Sequence, residues 1–224
     1  YETSIEAYYK EMTNLIEYKE GVLPEDNTNT SNDDAFAFGN GDSYGIELLL
    51  KKNKGKTTGW IGYTHSKTTL FFDDVNNGDP FPAKYDRRHD LEMTATHKLS
   101  DKWSFSSVFV YGTGNAITLP NERYVIGENI YTEFTSRNGF RMEPYHRLDI
   151  SATYTPQKKK KFQSSWNFSI YNVYSRKNPY FIYFALEAPE GVEDGSFVED
   201  NVTPKAYQVS IFPILPSVTW NFNF

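Results

Sequence analysis

The chain has 224 residues, 17% of them aromatic, no cysteine and a formal net charge of −6, with a mean hydropathy of −0.63. No run approaches the roughly 18 apolar residues of a membrane-spanning helix. The missing cysteines rule out disulfide and thiolate chemistry, and the acidic balance argues against a nucleic-acid partner. Low mean hydropathy leaves a membrane β-barrel open, because barrel strands alternate apolar and polar residues.

The first residues, Tyr1-Glu2-Thr3-Ser4-Ile5, already alternate, without an initiating Met or a secretory signal, which reads as the continuation of a longer protein. Alternation and β-branched or aromatic enrichment predict eight strands, at about 2–12, 43–52, 57–72, 87–99, 103–113, 145–155, 163–176 and 205–224. In the second, Tyr44, Ile46, Leu48 and Leu50 form one face, against Glu47, Leu49 and Lys51. The fourth sets Leu91, Met93 and Ala95 against Asp90, Glu92 and Thr94. The sixth sets Leu148, Ile150, Ala152 and Tyr154 against Arg147, Asp149, Ser151 and Thr153. The last sets Val218, Trp220, Phe222 and Phe224 against Ser217, Thr219, Asn221 and Asn223. None of these four apolar faces carries a charge, which at the bilayer midplane costs roughly 2–4 kcal/mol for Arg or Lys. Two strands are less regular. His65 and Lys67 share parity with Ile61 and Tyr63, and Asn172 falls in phase with Trp166, Phe168 and Ile170, which predicts a bulge.

Short and long connections alternate. The short ones are Asn53-Lys54-Gly55-Lys56, Ser100-Asp101-Lys102, and Pro156-Gln157 with Lys158 to Lys161. The long ones, about 13–42, 73–86, 114–144 and 177–204, are rich in Asn, Asp, Gly, Pro and Tyr. Bacterial outer-membrane barrels sort their connections this way, with short periplasmic turns and long external loops. Trp60, Trp103, Trp166 and Trp220 all fall near the short-turn end of their strands, as a ring at headgroup level would. Phe71-Phe72, Tyr111, Tyr174 and the tract Tyr180-Phe181-Ile182-Tyr183-Phe184 mark the other end. The eleven steps from Trp60 to Phe71 span about 28 Å in a tilted strand, close to the apolar band of such a barrel.

Several stretches share one pattern. They are Tyr44-Gly45-Ile46-Glu47-Leu48-Leu49-Leu50-Lys51-Lys52 with Gly55 and Gly59-Trp60-Ile61-Gly62-Tyr63-Thr64-His65-Ser66-Lys67, Tyr85-Asp86-Arg87-Arg88-His89-Asp90-Leu91, and Tyr111-Gly112-Thr113-Gly114-Asn115 before Thr118-Leu119-Pro120. Tyr145-His146-Arg147-Leu148-Asp149-Ile150-Ser151 and Tyr171-Asn172-Val173-Tyr174-Ser175-Arg176-Lys177-Asn178-Pro179-Tyr180 complete the pattern. In this order the stretches resemble the TonB-dependent receptors of Bacteroidetes type. The resemblance implies an N-terminal plug inside a 22-stranded barrel, with TonB energising uptake through a periplasmic motif. On that reading residues 1–224 are about eight C-terminal strands of an all-β, transmembrane, antiparallel barrel in the outer membrane of a Gram-negative bacterium. The plug and earlier strands would lie elsewhere in the molecule. The implied partners are outer-membrane lipid, the rest of the receptor, TonB, the barrel assembly machinery and, as a further candidate, a surface lipoprotein. The alternative is a complete eight-stranded barrel of the OmpA or OmpX sort, acting in structure or adhesion.

The residues that bear on chemistry point to binding rather than catalysis. His65, His89, His97 and His146 occur singly, and no triad accompanies Ser66 or Ser107, so no catalytic residue, metal site or cofactor is expected. Arg87-Arg88-His89-Asp90, and Arg147 with Asp149, put opposite charges on predicted lumen faces, as contacts for a plug or polar substrate or as an ion-pair lattice. Asn32-Asp33-Asp34 and Asp73 to Asp79 cluster oxygens suited to calcium, or simply form solvated loops. Tyr180, Phe181, Tyr183 and Phe184 are the expected ligand-stacking residues, the competing role being the upper aromatic girdle. Trp220, Phe222 and Phe224 resemble the C-terminal signal that the assembly machinery reads on barrel proteins.

Overall fold

The computed structural model describes residues 1–20, 35–126, 129–134, 136–156, 163–187 and 203–223. Lys158 to Lys161, Asn32 to Asp34 and Phe224 lie outside the described residues. Among the described residues the strands run as β1 (Glu2–Tyr18), β2 (Phe36–Lys52), β3 (Thr57–Phe71), then β5 (His89–Lys98) after the two-residue β4 (Phe81–Pro82), and β6 (Trp103–Gly112). The next connection holds β7 (Ala116–Ile117), β8 (Pro120–Ile126), β9 (Asn129–Phe134) and β10 (Phe140–Arg141). The series ends with β11 (Tyr145–Tyr154), β12 (Gln163–Tyr171), β13 (Pro179–Glu187), β14 (Thr203–Ser210) and β15 (Leu215–Asn223).

The main sheet is an antiparallel meander in the order β1-β2-β3-β5-β6-β11-β12-β15, with β1 and β15 as its edges. Seven of the expected strands coincide with β1, β2, β3, β5, β6, β11 and β12. Their ends depart where local geometry interrupts the alternation. β1 continues to Tyr18 through a bulge between Met12 and Leu15, where Asn14 takes φ 56. One extra residue there flips parity, so the odd-numbered apolar face of Ile5 and Ala7 becomes the even-numbered face of Ile16 and Tyr18. β2 begins at Phe36 although Gly39, Asn40 and Gly41 look turn-like. A Cβ on Gly39 would stand 2.3 Å from the Phe71 carbonyl oxygen and 2.5 Å from the Phe72 ring, so glycine marks a close approach inside a strand.

Two expectations are corrected. Residues 205–224 form two strands, and the first of them, β14, pairs with β13 outside the main sheet. Pro213, which has no N–H to donate, and Phe212 at φ 57 separate them. Asn172 is no bulge within a strand: β12 stops at Tyr171, and Asn172, at φ 52, starts the next turn.

Register divides the sheet into two faces. Leu50, Ile61, Met93, Phe109 and Leu148 are successive cross-strand neighbours in one apolar row. This face stays uncovered: Ile5 is 77% and Val218 61% exposed. The largest cluster of buried apolar groups lies instead at the long-loop end of the opposite face, where Val75, Phe81 and Ala83 pack on Leu70 and Ala37. A sheet whose large side chains are exposed in contiguous rows is built to meet another apolar phase.

Candidate functional site

Three features converge at the long-loop end. Asp86 is fully buried and collects donors from separate segments. Its Oδ1 accepts the Thr68 amide at 2.6 Å, and Oδ2 pairs with Arg88 Nε at 3.2 Å and with Arg141. Arg141 also donates to the Asp86 and Gly114 carbonyls. The connection after β3 is thereby tied to β10. Asn138 donates to the Pro82 carbonyl at 2.9 Å, and Arg137 pairs with Glu17 of β1 at 3.1 Å.

The second feature centres on Arg147, on the polar face of β11. Its Nε bonds Asp149 at 3.0 Å, and one terminal nitrogen donates to the Tyr145 and Tyr171 hydroxyls at 2.8 and 2.5 Å. The other Asp149 oxygen accepts the amide of Asn172. Asn172 is wholly buried. Its side chain donates to the Arg176 and Phe212 carbonyls and accepts the Arg176 amide. Asn tolerates a positive φ while offering a donor and an acceptor, which suits it to this corner.

The third is the β13–β14 hairpin. Tyr180 and Phe181 meet edge-on at 5.7 Å, and Tyr183 stacks on Tyr207 at 5.3 Å. Tyr180, Phe181 and Tyr183 are exposed. The backbone of Phe184 pairs with Ala206 in the same hairpin.

Below these features the polar face carries Glu6 opposite Glu47, and Thr64 opposite Asp90, along one row. Ser4, Glu6, Glu47, Gly62, Asp90 and Glu92 border a recess of about 380 Å³. Asp90 pairs with Arg87 at 3.3 Å. The ion-pair reading of Arg87 with Asp90 and of Arg147 with Asp149 agrees with this geometry. His89 points the other way, on the apolar face.

The apolar face is bordered by rings at both ends. Trp103, Tyr154, Trp166 and Trp220 are consecutive cross-strand neighbours. Trp103 lies 4.9 Å from Tyr154 and Trp166 stacks on Trp220 at 5.6 Å. Phe222 adjoins Trp220 at 4.7 Å. Trp60 stands apart: it pairs with Lys51 and Thr94 and covers Gly62 on the polar face. At the other end His65 and His89 are 5.0 Å apart, and Tyr63 Oη meets His89 Nδ1 at 2.7 Å. His146 Nδ1 meets Tyr174 Oη at 2.8 Å. Burial raises the Tyr174 phenol above its ordinary value, Arg176 opposing. His65 thus belongs to a polar aromatic margin, which accounts for its parity with Ile61 and Tyr63.

Among the described residues no three His, Asp or Glu side chains gather as a metal site. Ser66 donates its hydroxyl to the Arg87 carbonyl, and His89, His97 and His146 face Tyr63, Thr57 and Tyr174. The arrangement holds and orients polar groups. Sequence reading missed Asp86, Arg141 and Asn172 as structural centres and Glu6, Glu47 and Glu92 as one wall. The parity break at Asn172 and the polar members of the alternating runs were the available signals.

The family model described as "TonB dependent receptor-like, beta-barrel" matches residues 1–173. No curated protein and no solved structure matches the chain.

Proposed function

The chain belongs to the family of TonB-dependent receptor-like β-barrels, and on that premise we propose that it forms lumen wall and external loops of an outer-membrane receptor that imports a ligand. One observation carries the reading: a meander of eight long antiparallel strands with one exposed apolar face, edged by a Trp-Tyr row at one end and His-Tyr pairs at the other. An aqueous surround would leave that face in water, whereas lipid solvates it and the rings sit at headgroup level. The polar face is then the lumen, and the knitted long loops are extracellular.

In this reading the exposed rings of Tyr180, Phe181 and Tyr183, with Phe184 as the further aromatic residue of the same tract, contact a ligand with flat or sugar-like faces. Trp103, Trp166 and Trp220 form the periplasmic belt, and Trp60 faces the lumen. Trp220, Phe222 and Phe224 serve as the edge that the assembly machinery engages. The plug, the earlier strands, TonB and a surface lipoprotein are the proposed partners, and a Bacteroidetes-type receptor is the proposed subclass. The role is uptake rather than catalysis.

Envelope fractionation of cells expressing the intact polypeptide tests this. We expect a heat-modifiable band in the outer-membrane fraction that is retained on immobilised TonB. A soluble periplasmic band would refute the membrane reading. An outer-membrane band that TonB does not retain would favour the complete eight-stranded structural or adhesion barrel.

A further inference from the structure

Two of the histidines meet at the long-loop end of the apolar face. His65 of β3 and His89 of β5 are direct cross-strand neighbours. The Ser66 amide donates to the Arg88 carbonyl at 3.2 Å, and the Thr113 amide to the His89 carbonyl at 2.9 Å. The backbone of His89 therefore bonds towards β6, and His65 with His89 is a non-hydrogen-bonded pair of the β3–β5 ladder. Side chains stand closest at such pairs. Both histidines are exposed, and their ring centres lie 5.0 Å apart.

That spacing is the one a shared metal ion sets. An ion about 2.0–2.1 Å from an imidazole nitrogen stands about 3.2 Å from the ring centre. Two rings bound at about 90–110° then lie about 4.5–5.2 Å apart. A neighbouring tyrosine adds a second observation. Tyr63 Oη lies 2.7 Å from His89 Nδ1, so Nε2 is the nitrogen left to an ion. With metal on Nε2 the proton sits on Nδ1 and is donated to Tyr63, the outer contact a ligating histidine ordinarily makes. Among the described residues no third His, Asp or Glu gathers with the pair. Hard ions such as Ca²⁺ and Mg²⁺ want oxygen ligands, whereas imidazole suits Zn²⁺, Cu²⁺ and Ni²⁺.

We propose that His65 and His89 chelate one divalent first-row transition-metal ion, water completing its coordination, and that the ion clamps β3 to β5 where the sheet meets the long loops. Tyr63 is the positioning residue that orients His89. The site rests on the β3–β5 register and not on what covers the apolar face.

Titration of the intact receptor in detergent with Cu²⁺ alone tests the site, read by calorimetry and by pulsed electron paramagnetic resonance, which counts coordinated imidazoles. The difference between wild type and variant isolates this pair from any other copper-binding group of the polypeptide. We expect a copper ion held by two imidazoles in the wild type. His65→Ala and His89→Ala each reduce that count to one and weaken binding about a hundredfold, because the second ligand no longer binds intramolecularly. Tyr63→Phe keeps both imidazoles and weakens binding about tenfold. His97→Ala and His146→Ala leave count and affinity as in the wild type, and excess Ca²⁺ does not displace Cu²⁺. One imidazole in the wild type, binding in His65→Ala or His89→Ala as tight as in the wild type, or displacement by Ca²⁺ would overturn the proposal. A soluble band on fractionation refutes the membrane reading and leaves the metal site standing, whereas an outer-membrane band without the two-imidazole signal sinks the metal site alone.

Discussion

Asp86 binds the Thr68 amide, Arg88 and Arg141 from a fully buried position, with the two arginine side chains 37% and 29% exposed. Its carboxylate offsets two guanidinium charges that are partly withdrawn from water. Asp86→Asn keeps the shape and the Thr68 bond but removes the anion, which turns an attractive arrangement into two neighbouring unpaired cations. Breaking a buried pair costs about 3–5 kcal/mol, and the partial exposure of both arginines puts this one near about 3. Since 1.4 kcal/mol is a factor of ten, amide exchange in residues 72–88 and 137–142 should speed up by up to about a hundredfold, with β11 and β12 unchanged. Exchange in Asp86→Asn equal to wild type would show that the loops are held by other contacts. Nothing local to Asp86 in the chain announces this role. It sits beside Arg87 and Arg88, and the partner that matters most, Arg141, is 55 residues away.

Elements were legible wherever one side chain in two had to be apolar. That is why β2, β5 and β11 were readable with their faces, down to Leu48, Met93 and Ile150. Legibility failed where a backbone event breaks the period. Asn14 flips the parity of β1, Gly39 and Gly41 disguise the start of β2, and Pro213 was the overlooked stop between β14 and β15. The β8–β9 hairpin sits in a long connection whose polar composition hides its pairing, and the β13–β14 hairpin was hidden because β14 ran on into the expected last strand. Of the candidate site, the aromatic tract was legible by composition, but its partner Tyr207 was not. The tryptophans show the same limit. Position along the chain put four at one end, whereas register puts Trp103, Trp166 and Trp220 on the apolar face and Trp60 on the polar face. Single-Trp variants of the intact protein in bilayers with brominated acyl chains separate them. Fluorescence of Trp103, Trp166 and Trp220 should be strongly quenched and that of Trp60 nearly unaffected, because quenching needs contact with the chains. Equal quenching of all four would mean that Trp60 also faces lipid.

For the whole molecule the open question of architecture sits at β1 and β15. Both are edges of the main sheet. In lipid, an unpaired backbone group costs several kcal/mol, so neither edge can stay open within the hydrocarbon. Two closures satisfy this: β1 and β15 pair with each other in an eight-stranded barrel, or each pairs with other strands in a larger one. The family membership favours the second. The chain contains no cysteine, so engineered pairs report closure directly, given that a disulfide needs Cα atoms about 4.4–6.8 Å apart. Phe168→Cys with Val218→Cys joins cross-strand neighbours of β12 and β15 and should oxidise readily in intact, membrane-inserted protein, as the positive control. Ala7→Cys combined with Pro216→Cys, Val218→Cys or Trp220→Cys, which scans the same face of β15 through successive registers, should give no disulfide. A cross-link between β1 and β15 at any of these registers, as efficient as the control, would establish the small closed barrel. The polar face would then enclose a packed interior rather than a section of a wide lumen, because eight strands leave room only for side chains or one small ligand.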